Sequence, residues 1–202
     1  MPSPDKGGSW GVLGGSFDPV HHGHLNLAQE ISHKKILAGV LLIPAFKHPF
    51  KEQGITASYP NRLAMLDLAV DKLEDLHICE IEKDENLSGY TIDTLHALKK
   101  RFPKAAFHFI IGADLVEQLS KWHRAKQLLS ETHFLSGARP GSKLSDILGD
   151  LRISVELVEI NEKNISASDI RERIKNGAKL DEIKTLMPLK VAQYIFDKGL
   201  YR

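Results

Sequence analysis

A glycine-rich turn that runs into a histidine cluster is the part of the chain whose residue types could do chemistry. Residues 14–25 read GGSFDPVHHGHL and follow an apolar run typical of a first β-strand. Glycines let a ligand approach the backbone closely, and a helix start offers N–H groups that no helical carbonyl uses. His21 and His24 stand three residues apart, so they project from one side of the first helical turn. We therefore expect two imidazoles beside a phosphate-binding turn.

Other interpretations of this segment are less favoured. No Gly-Lys-Ser/Thr follows the turn, so it is not a Walker loop, and glycines at 11, 14 and 15 lack the G-x-G-x-x-G spacing of a dinucleotide fingerprint. The histidines could simply cap or solvate a helix start. A metal site is also an alternative, but no neighbouring carboxylate or cysteine cluster completes one. Phosphate contact is therefore the favoured hypothesis, and we predict no metal held by the protein.

A second helix start lies near the C-terminus, in the segment ISASDIRER at residues 165–173. Ser166 or Ser168 can serve as the N-cap. Asp169 then falls in the first turn, and Arg171 projects from the helix start. A capping box explains Ser166 and Asp169 without any ligand, so the segment alone predicts a capped helix and leaves a ligand open.

These segments resemble those of a known family. Gly-Gly-Ser-Phe-Asp-Pro-x-His-x-Gly-His is similar to the signature of the nucleotidyltransferase superfamily that is built on a dinucleotide-binding-like fold. Later segments resemble bacterial nicotinate-nucleotide adenylyltransferase in their order and approximate spacing, over nearly the whole chain. They are NRLAMLDLA at 61–69, GYTIDTL at 89–95, IIGADLVEQLSKWHRA at 110–125, ISASDIRER at 165–173, and the closing Tyr194-Ile195 and Leu200-Tyr201.

The resemblance implies an enzyme that transfers AMP from ATP to nicotinate mononucleotide. The 5′-phosphate of the mononucleotide would attack the α-phosphorus, pyrophosphate would leave, and nicotinate adenine dinucleotide would form in NAD biosynthesis. Mg²⁺ would enter with ATP, and no protein nucleophile is required. A dual-specificity or nicotinamide mononucleotide enzyme, phosphopantetheine adenylyltransferase and a non-catalytic nucleotide-binding regulator are the alternatives.

The resemblance also implies which residues form the site. The catalytic residues would be His21, His24, Lys51 and Arg171. ATP would bind at the glycine turn and at helix starts, through Gly14, Gly15, Ser16, Phe17, Gly23, His24, Gly112, Asp114, Ile165, Ser166, Ser168 and Arg171. The mononucleotide would bind Ser16, Phe17, Lys51, Tyr90, Thr91 and Trp122. The pyridine ring would stack on Trp122, while Thr91 could also cap a helix that begins at Ile92.

The chain departs from the family pattern at two places. Residues 48–51 read His-Pro-Phe-Lys where the family has Pro-Pro-His-Lys, so Phe50 replaces a histidine. Ala167 and Ser168 stand where the family has Ser-Thr, which removes one hydroxyl and one methyl group. These departures are the features that permit the regulator hypothesis.

The elements that must position these residues follow from the apolar pattern. Short β-rich runs alternate with helical stripes, which predicts parallel strands joined by crossover helices. The predicted strands are residues 10–14, 38–43, 76–81, 106–111, 133–136 and 153–160. The predicted helical stripes are Leu63, Leu66, Val70 and Leu73, and Ile92, Leu95, Leu98 and Phe102. We expect an α/β fold with a doubly wound, mostly parallel sheet, Rossmann-like by the resemblance, in one domain over 1–202 whose residues 165–202 are a C-terminal helical part.

Composition limits the remaining function classes. The chain has 202 residues, a formal net charge of +1 and a single cysteine, Cys79. Such a charge provides no field to attract nucleic acid or an acidic membrane. A lone cysteine excludes a disulfide framework and favours a reducing compartment, and no apolar run approaches the roughly 20 residues of a spanning helix. We expect a soluble cytoplasmic protein with small-molecule substrates, and its oligomeric state stays open.

Overall fold

The computed structural model describes residues 3–47, 55–84, 86–138, 154–161 and 163–202, and within them six strands form one sheet. The strands are β1 (Gly8–Gly15), β2 (Gly39–Pro44), β3 (Leu76–Ile78), β4 (Ala105–Ile111), β5 (His133–Ala138) and β6 (Val155–Glu159). Their spatial order is β3-β2-β1-β4-β5-β6, and every described pairing is parallel. The predicted doubly wound α/β sheet is confirmed.

Helices cover both faces of the sheet. They are α1 (His22–Lys34), α2 (Tyr59–Val70), α3 (Thr91–Arg101), α4 (Ala113–Val116), α5 (Ala125–Glu131), α6 (Ala167–Lys175), α7 (Leu180–Ile183) and α8 (Leu189–Asp197). Short 3₁₀ turns lie at Pro4–Lys6, Ile81–Lys83 and Leu119–Lys121. Strand β3 ends at Ile78, three residues before its predicted end, because the chain then turns into the Ile81–Lys83 segment.

Side chains of β1 alternate between two apolar clusters. Trp10 and Val12 lie in the cluster that also holds the buried residues of α3 and α5, whereas Leu13 lies in the cluster under α1, α2 and the C-terminal helices. Gly11 faces the latter, where a Cβ would lie only 2.7 Å from Ile110 Cδ1. Glycine at this position therefore allows the residues of β2 and β4 to close over β1.

Only one of the two predicted helical stripes is buried in full. All four residues of the second stripe are buried, on or just after α3. On α2 the buried residues are instead Arg62, Met65, Leu66 and Ala69, so Leu66 alone of the first stripe is fully buried. The helix is turned because Arg62 faces inward and donates to the main-chain oxygens of Ser16, Ala45 and Ala57.

The topology places an open crevice at the ends of β1 and β4. The chain runs from β1 outward through β2 to β3, then crosses back to β4 on the other side of β1. Connections therefore diverge at the carboxyl ends of β1 and β4, which is where open α/β sheets bind ligands. Gly14 and Gly15 end β1, and Gly112 follows β4.

The C-terminal helices close one side of this crevice. Ile170, Ile174 and Ile195 are buried in the same cluster as Leu13, so α6 and α8 pack on the sheet. A single domain with a helical part over residues 165–202 stays a prediction. Among the described helices, none is long and apolar enough to cross a membrane.

Candidate active site

The turn after β1 exposes its backbone at the predicted phosphate-binding position. Phe17 has a φ of 47°, a left-handed conformation that is strained for a bulky side chain. Its ring is buried, 3.5 Å from the place that a Cβ of Gly15 would take. No described heavy atom lies within 4 Å of a Cβ at Gly14. A ligand can therefore approach the backbone at Gly14 directly.

The two histidines lie side by side, as their spacing predicts. Their ring centroids are 3.7 Å apart and the ring planes meet at 22°. His21 is the N-cap of α1, and its backbone N–H donates to Nδ1 of His24 at 3.4 Å. A Cβ at Gly23 would lie 2.9 Å from Nδ1 of His21, so only glycine leaves room for that ring. The predicted pairing is therefore present, and His24 holds the N–H at the helix start, whereas Nδ1 of His21 is buried without a hydrogen-bond partner among the described residues.

Both imidazoles are neutral at neutral pH. Burial, with a smaller contribution from the charge of His22, lowers the pKa of His21 to about 4. Burial also lowers the pKa of His24 well below its usual value, and His21 adds to that effect. Since Nδ1 of His24 accepts a backbone N–H, this hydrogen bond assigns the proton of the neutral ring to Nε2. His24 therefore offers an uncharged N–H donor.

Arg171 reaches the same turn from α6. Its Nη1 donates to the main-chain oxygen of Asp18 at 2.7 Å, and its Nη2 donates to Oγ of Ser168 at 3.3 Å. Ser166 is the N-cap of α6, where its Oγ accepts the N–H of Asp169 at 3.5 Å. The capping prediction for Ser166 is confirmed, and the fold brings Arg171 to the turn that carries the histidines.

A buried carboxylate that the sequence analysis left unassigned organises this turn. Asp18 is 1% exposed. Its Oδ1 accepts the N–H of Ala57 at 3.0 Å and the hydroxyl of Tyr201 at 2.7 Å. Its Oδ2 accepts the N–H of Thr56 at 2.7 Å. Asp18 thus joins the turn, the start of α2 and the C-terminal end of the chain.

A buried guanidinium completes the support. Arg62 is 2% exposed and donates to three main-chain oxygens: Nη1 to Ser16 at 2.6 Å, Nη2 to Ala45 at 2.8 Å and Nε to Ala57 at 3.3 Å. Burial lowers the pKa of Arg62, and the negative charge of Asp18 opposes that effect. A sequence signal for Arg62 existed, since it shares a helical face with Met65 and other buried apolar residues.

Three of the predicted mononucleotide residues, Tyr90, Thr91 and Trp122, lie near the start of α3 and not in the turn after β1. Tyr90 is the N-cap of α3, and its ring stacks on His123 with centroids 4.1 Å apart and planes at 20°. The next residue back, Trp122, is half-buried and meets Phe134 edge to face at 6.0 Å. The stacked pair therefore brings the start of α3 beside Trp122.

One alternative for this segment is wrong. Helix α3 begins at Thr91 and not at Ile92, so Thr91 does not cap it. Tyr90 takes the cap position because its backbone is extended, and its N–H is held by Oγ of Ser88 at 3.1 Å. Thr91 is thereby left as the first helical residue, partly exposed.

The remaining predicted residues fall at the rim of the crevice or outside the described chain. Gly112 is the N-cap of α4, and Oδ1 of Asp114 lies 2.5 Å from the place of a Gly112 Cβ, so the carboxylate folds back over this glycine. Ile165 precedes α6 and packs against the cluster under α1. Lys51 and Phe50 lie outside the described residues.

Comparisons with known proteins agree with this fold and show the family. A family model described as cytidylyltransferase-like matches residues 12–173, and the chain belongs to that family. Within it, the chain is 42% identical over 193 residues to a probable nicotinate-nucleotide adenylyltransferase of Halalkalibacterium halodurans, which covers 95% of this chain and 90% of that protein. A Bacillus cereus protein of the same name is 40% identical over 191 residues, covering 95% of this chain and 97% of that protein.

A solved structure shares the fold. The nicotinic acid mononucleotide adenylyltransferase of Plasmodium falciparum complexed with NaAD has a TM-score of 0.81 and 21% sequence identity, covering 96% of this chain and 97% of that one. The family resemblance found in the motifs is thereby confirmed by sequence, and the architecture by structure.

Proposed function

We propose that this protein is a nicotinate-nucleotide adenylyltransferase, which transfers the adenylyl group of ATP to nicotinate mononucleotide in NAD biosynthesis. The observation that carries the proposal is the neutral His21–His24 pair beside an open glycine turn, at the point where the sheet connections diverge. The identity of 40 to 42% with probable nicotinate-nucleotide adenylyltransferases, over 95% of the chain, supports the acceptor.

The reaction needs positioning and charge stabilisation more than a protein nucleophile. An oxygen of the 5′-phosphate attacks the α-phosphorus in line, while the bond to the bridging oxygen of pyrophosphate breaks. With Nδ1 accepting the N–H of His21, His24 would donate its Nε2 proton in a hydrogen bond to the α-phosphate, where charge builds in the transition state. One such preorganised donor contributes about 3 kcal/mol to lowering the barrier.

The triphosphate would bind between the turn and the start of α6. By the resemblance, backbone N–H groups of Ser16 and Phe17 would meet the phosphates, and α6 presents its own first N–H groups from a cap at Ser166. Arg171 uses one N–H on Asp18 and one on Ser168, and its side chain is 25% exposed, so the rest of the guanidinium is available to phosphate. By the resemblance, Lys51 would add a second cation.

Mg²⁺ would arrive as part of the ATP substrate. Across the part of the chain that the structure describes, no group of three or more His, Cys, Asp or Glu side chains could hold a metal ion. Asp18, the carboxylate of the turn, already accepts from Thr56, Ala57 and Tyr201. We therefore assign the ion to the phosphate oxygens of ATP and no step to a protein-held metal.

The pyridine ring would bind between the start of α3 and Trp122. The indole meets Phe134 at nearly a right angle, so this contact covers at most one of the two indole faces. The Tyr90–His123 stack lies next to it and limits the space beside the ring. With Thr91 partly exposed at the first position of α3, its hydroxyl and N–H can meet the substituent of the pyridine.

A single cysteine fits the reducing cytoplasm, where we place the reaction.

Acceptor specificity tests this proposal. We would measure kcat/KM for pyrophosphate release from Mg·ATP with nicotinate mononucleotide, nicotinamide mononucleotide or phosphopantetheine. We expect nicotinate mononucleotide to give the highest kcat/KM and phosphopantetheine to give no release. Equal values for the two mononucleotides would keep the chemistry but assign dual specificity. ATP binding without release from any acceptor would instead support a non-catalytic regulator.

A further inference from the structure

The C-terminal end of the chain is tied to the phosphate-binding turn by one buried hydrogen bond. The hydroxyl of Tyr201 donates to Oδ1 of Asp18 at 2.7 Å, across 183 positions of sequence. Tyr201 is 8% exposed and Asp18 is 1% exposed, so water competes little for this bond. Burial raises the pKa of Tyr201 well above its usual value, and therefore the hydroxyl remains a donor throughout the working pH range.

Asp18 stands between Tyr201 and Arg171. The main-chain oxygen of Asp18 accepts from Nη1 of Arg171, and that same nitrogen lies 4.0 Å from Oδ2 of Asp18. At 4.0 Å the two charges attract but do not form a direct hydrogen bond. Both carboxylate oxygens are instead occupied by Tyr201 and by the N–H groups of Thr56 and Ala57.

The other buried cation cannot take the place of Tyr201. The guanidinium of Arg62 donates three hydrogen bonds to main-chain oxygens, including those of Ser16 and Ala57, and these bonds fix its position. If the Tyr201 hydroxyl were absent, the Asp18 carboxylate would lose a donor in a buried place, where an under-bonded charge is costly. A movement of about 1 Å would bring Arg171 into direct contact with Oδ2, at the length of a charged hydrogen bond.

We propose that Tyr201 is a positioning residue for ATP: its hydroxyl satisfies Asp18 and so leaves Arg171 directed at the triphosphate. This inference rests on the proposed function, because Arg171 is assigned to the triphosphate there. Tyr201 itself touches neither substrate. Its removal should weaken ATP binding more than mononucleotide binding. Ser16 and Phe17 of the turn are assigned to both substrates, but Tyr90 and Trp122, assigned to the mononucleotide alone, belong to other elements.

The chain offers a matched control. Tyr194, on α8, donates its hydroxyl to Oδ1 of Asn61 at 2.9 Å, which is also a long-range bond from the C-terminal helices to a side chain. Asn61 is on α2, and within the described part of the chain its side chain bonds Tyr194 and forms no hydrogen bond with Asp18 or Arg171. Tyr201→Phe and Tyr194→Phe therefore each remove one hydrogen-bonded hydroxyl from the C-terminal part of the chain. Only the hydroxyl of Tyr201 contacts the phosphate-binding turn.

The test is equilibrium binding of Mg·ATP without acceptor, followed by steady-state kinetics, in both variants and the wild type. We expect Tyr201→Phe to raise the Kd and KM for ATP about fivefold or more and to change the KM for nicotinate mononucleotide less than about twofold. Tyr194→Phe should leave all three constants within about twofold of the wild type. The melting temperature of each variant, measured alongside, confirms that the protein compared is folded.

The outcomes separate the inference from the proposed function. If Tyr201→Phe binds Mg·ATP as Tyr194→Phe does, or if both KM values rise equally, Tyr201 is a structural residue only and the inference is wrong. If the wild type binds Mg·ATP but releases no pyrophosphate with any acceptor, the proposed function fails, while a selective rise of Kd in Tyr201→Phe still supports the inference. Absence of ATP binding in the wild type overturns both.

Discussion

Replacing His24 by asparagine separates the two hydrogen bonds that this side chain is placed to make. Nδ1 of His24 accepts the backbone N–H of His21, and Nε2 carries the proton that is directed to substrate. The amide oxygen of asparagine lies at nearly the same distance from the backbone as Nδ1, so it can accept the same N–H. Asparagine has no atom at the place of Nε2. His24→Asn should therefore keep the helix start and lose the donor.

The magnitude follows from the donor and from the charge state. A transition-state donor that contributes about 3 kcal/mol corresponds to a loss of about 100-fold in kcat. His24 is neutral because its pKa is well below the usual value, so the substitution changes no charge at pH 7. The capping bond survives, and the free energy of unfolding should stay within about 1 kcal/mol of the wild type.

The assay is pyrophosphate release at saturating Mg·ATP and nicotinate mononucleotide. His24→Gln places an amide nitrogen near the position of Nε2, and we expect it to recover part of the lost kcat. His22→Ala is the matched control, since His22 lies in the same motif and its backbone N–H still bonds Leu186. A kcat for His24→Asn equal to that of the wild type would refute the role of Nε2.

Three further predictions concern ring stacking, pH and buried support. Trp122→Ala should raise the KM for nicotinate mononucleotide about 5- to 150-fold more than the KM for ATP, which corresponds to the roughly 1–3 kcal/mol of an aromatic stack; equal rises in steady-state assays would contradict the stacking role. The pKa of His21 falls from 6.5 to about 4 on folding, so the unfolded chain takes up this proton first as the pH drops, and the stability that depends on the neutral ring is lost between pH 6.5 and 4. Urea unfolding gives the free energy of unfolding at pH 7 and at pH 4. Between these pH values it should fall by about 3 kcal/mol more in the wild type than in His21→Gln, and equal falls would be inconsistent with a buried neutral ring. Arg62→Leu should lower the free energy of unfolding by at least about 3 kcal/mol, because it leaves buried carbonyls without donors, whereas the exposed Arg101→Leu should stay within about 0.5 kcal/mol; comparable losses would mean that the carbonyl bonds of Arg62 contribute little.

Local patterns predicted the sheet and the turn well. Alternating β-rich runs and helical stripes gave the strand positions to within a few residues, since each strand is buried by its own neighbours along the chain. The i, i+3 spacing of His21 and His24 was enough to predict two rings on one side of α1. Capping at Ser166 was predictable for the same reason, because a helix cap depends on residues three positions apart.

Local sequence patterns could not predict contacts between residues that lie far apart in the sequence. The apolar spacing of α2 predicted a buried face with Leu63 and Val70, but Arg62 has turned the helix because its guanidinium bonds three carbonyls from two separate loops. The hydrogen bond between Asp18 and Tyr201 joins residues 183 positions apart, so no periodic pattern in the sequence predicts it. Neutrality of the histidine pair likewise depends on burial, which only the folded chain creates.

The most direct test of the account follows the α-phosphate of ATP. Wild-type protein would be incubated with Mg²⁺, ATP labelled at the α-phosphorus, and nicotinate mononucleotide, and the label would be traced by chromatography. In-line adenylyl transfer predicts that the label appears in nicotinate adenine dinucleotide, with one unlabelled pyrophosphate released for each dinucleotide formed. Label that remains in ATP, or that leaves as free AMP without forming a dinucleotide, would contradict adenylyl transfer at this site.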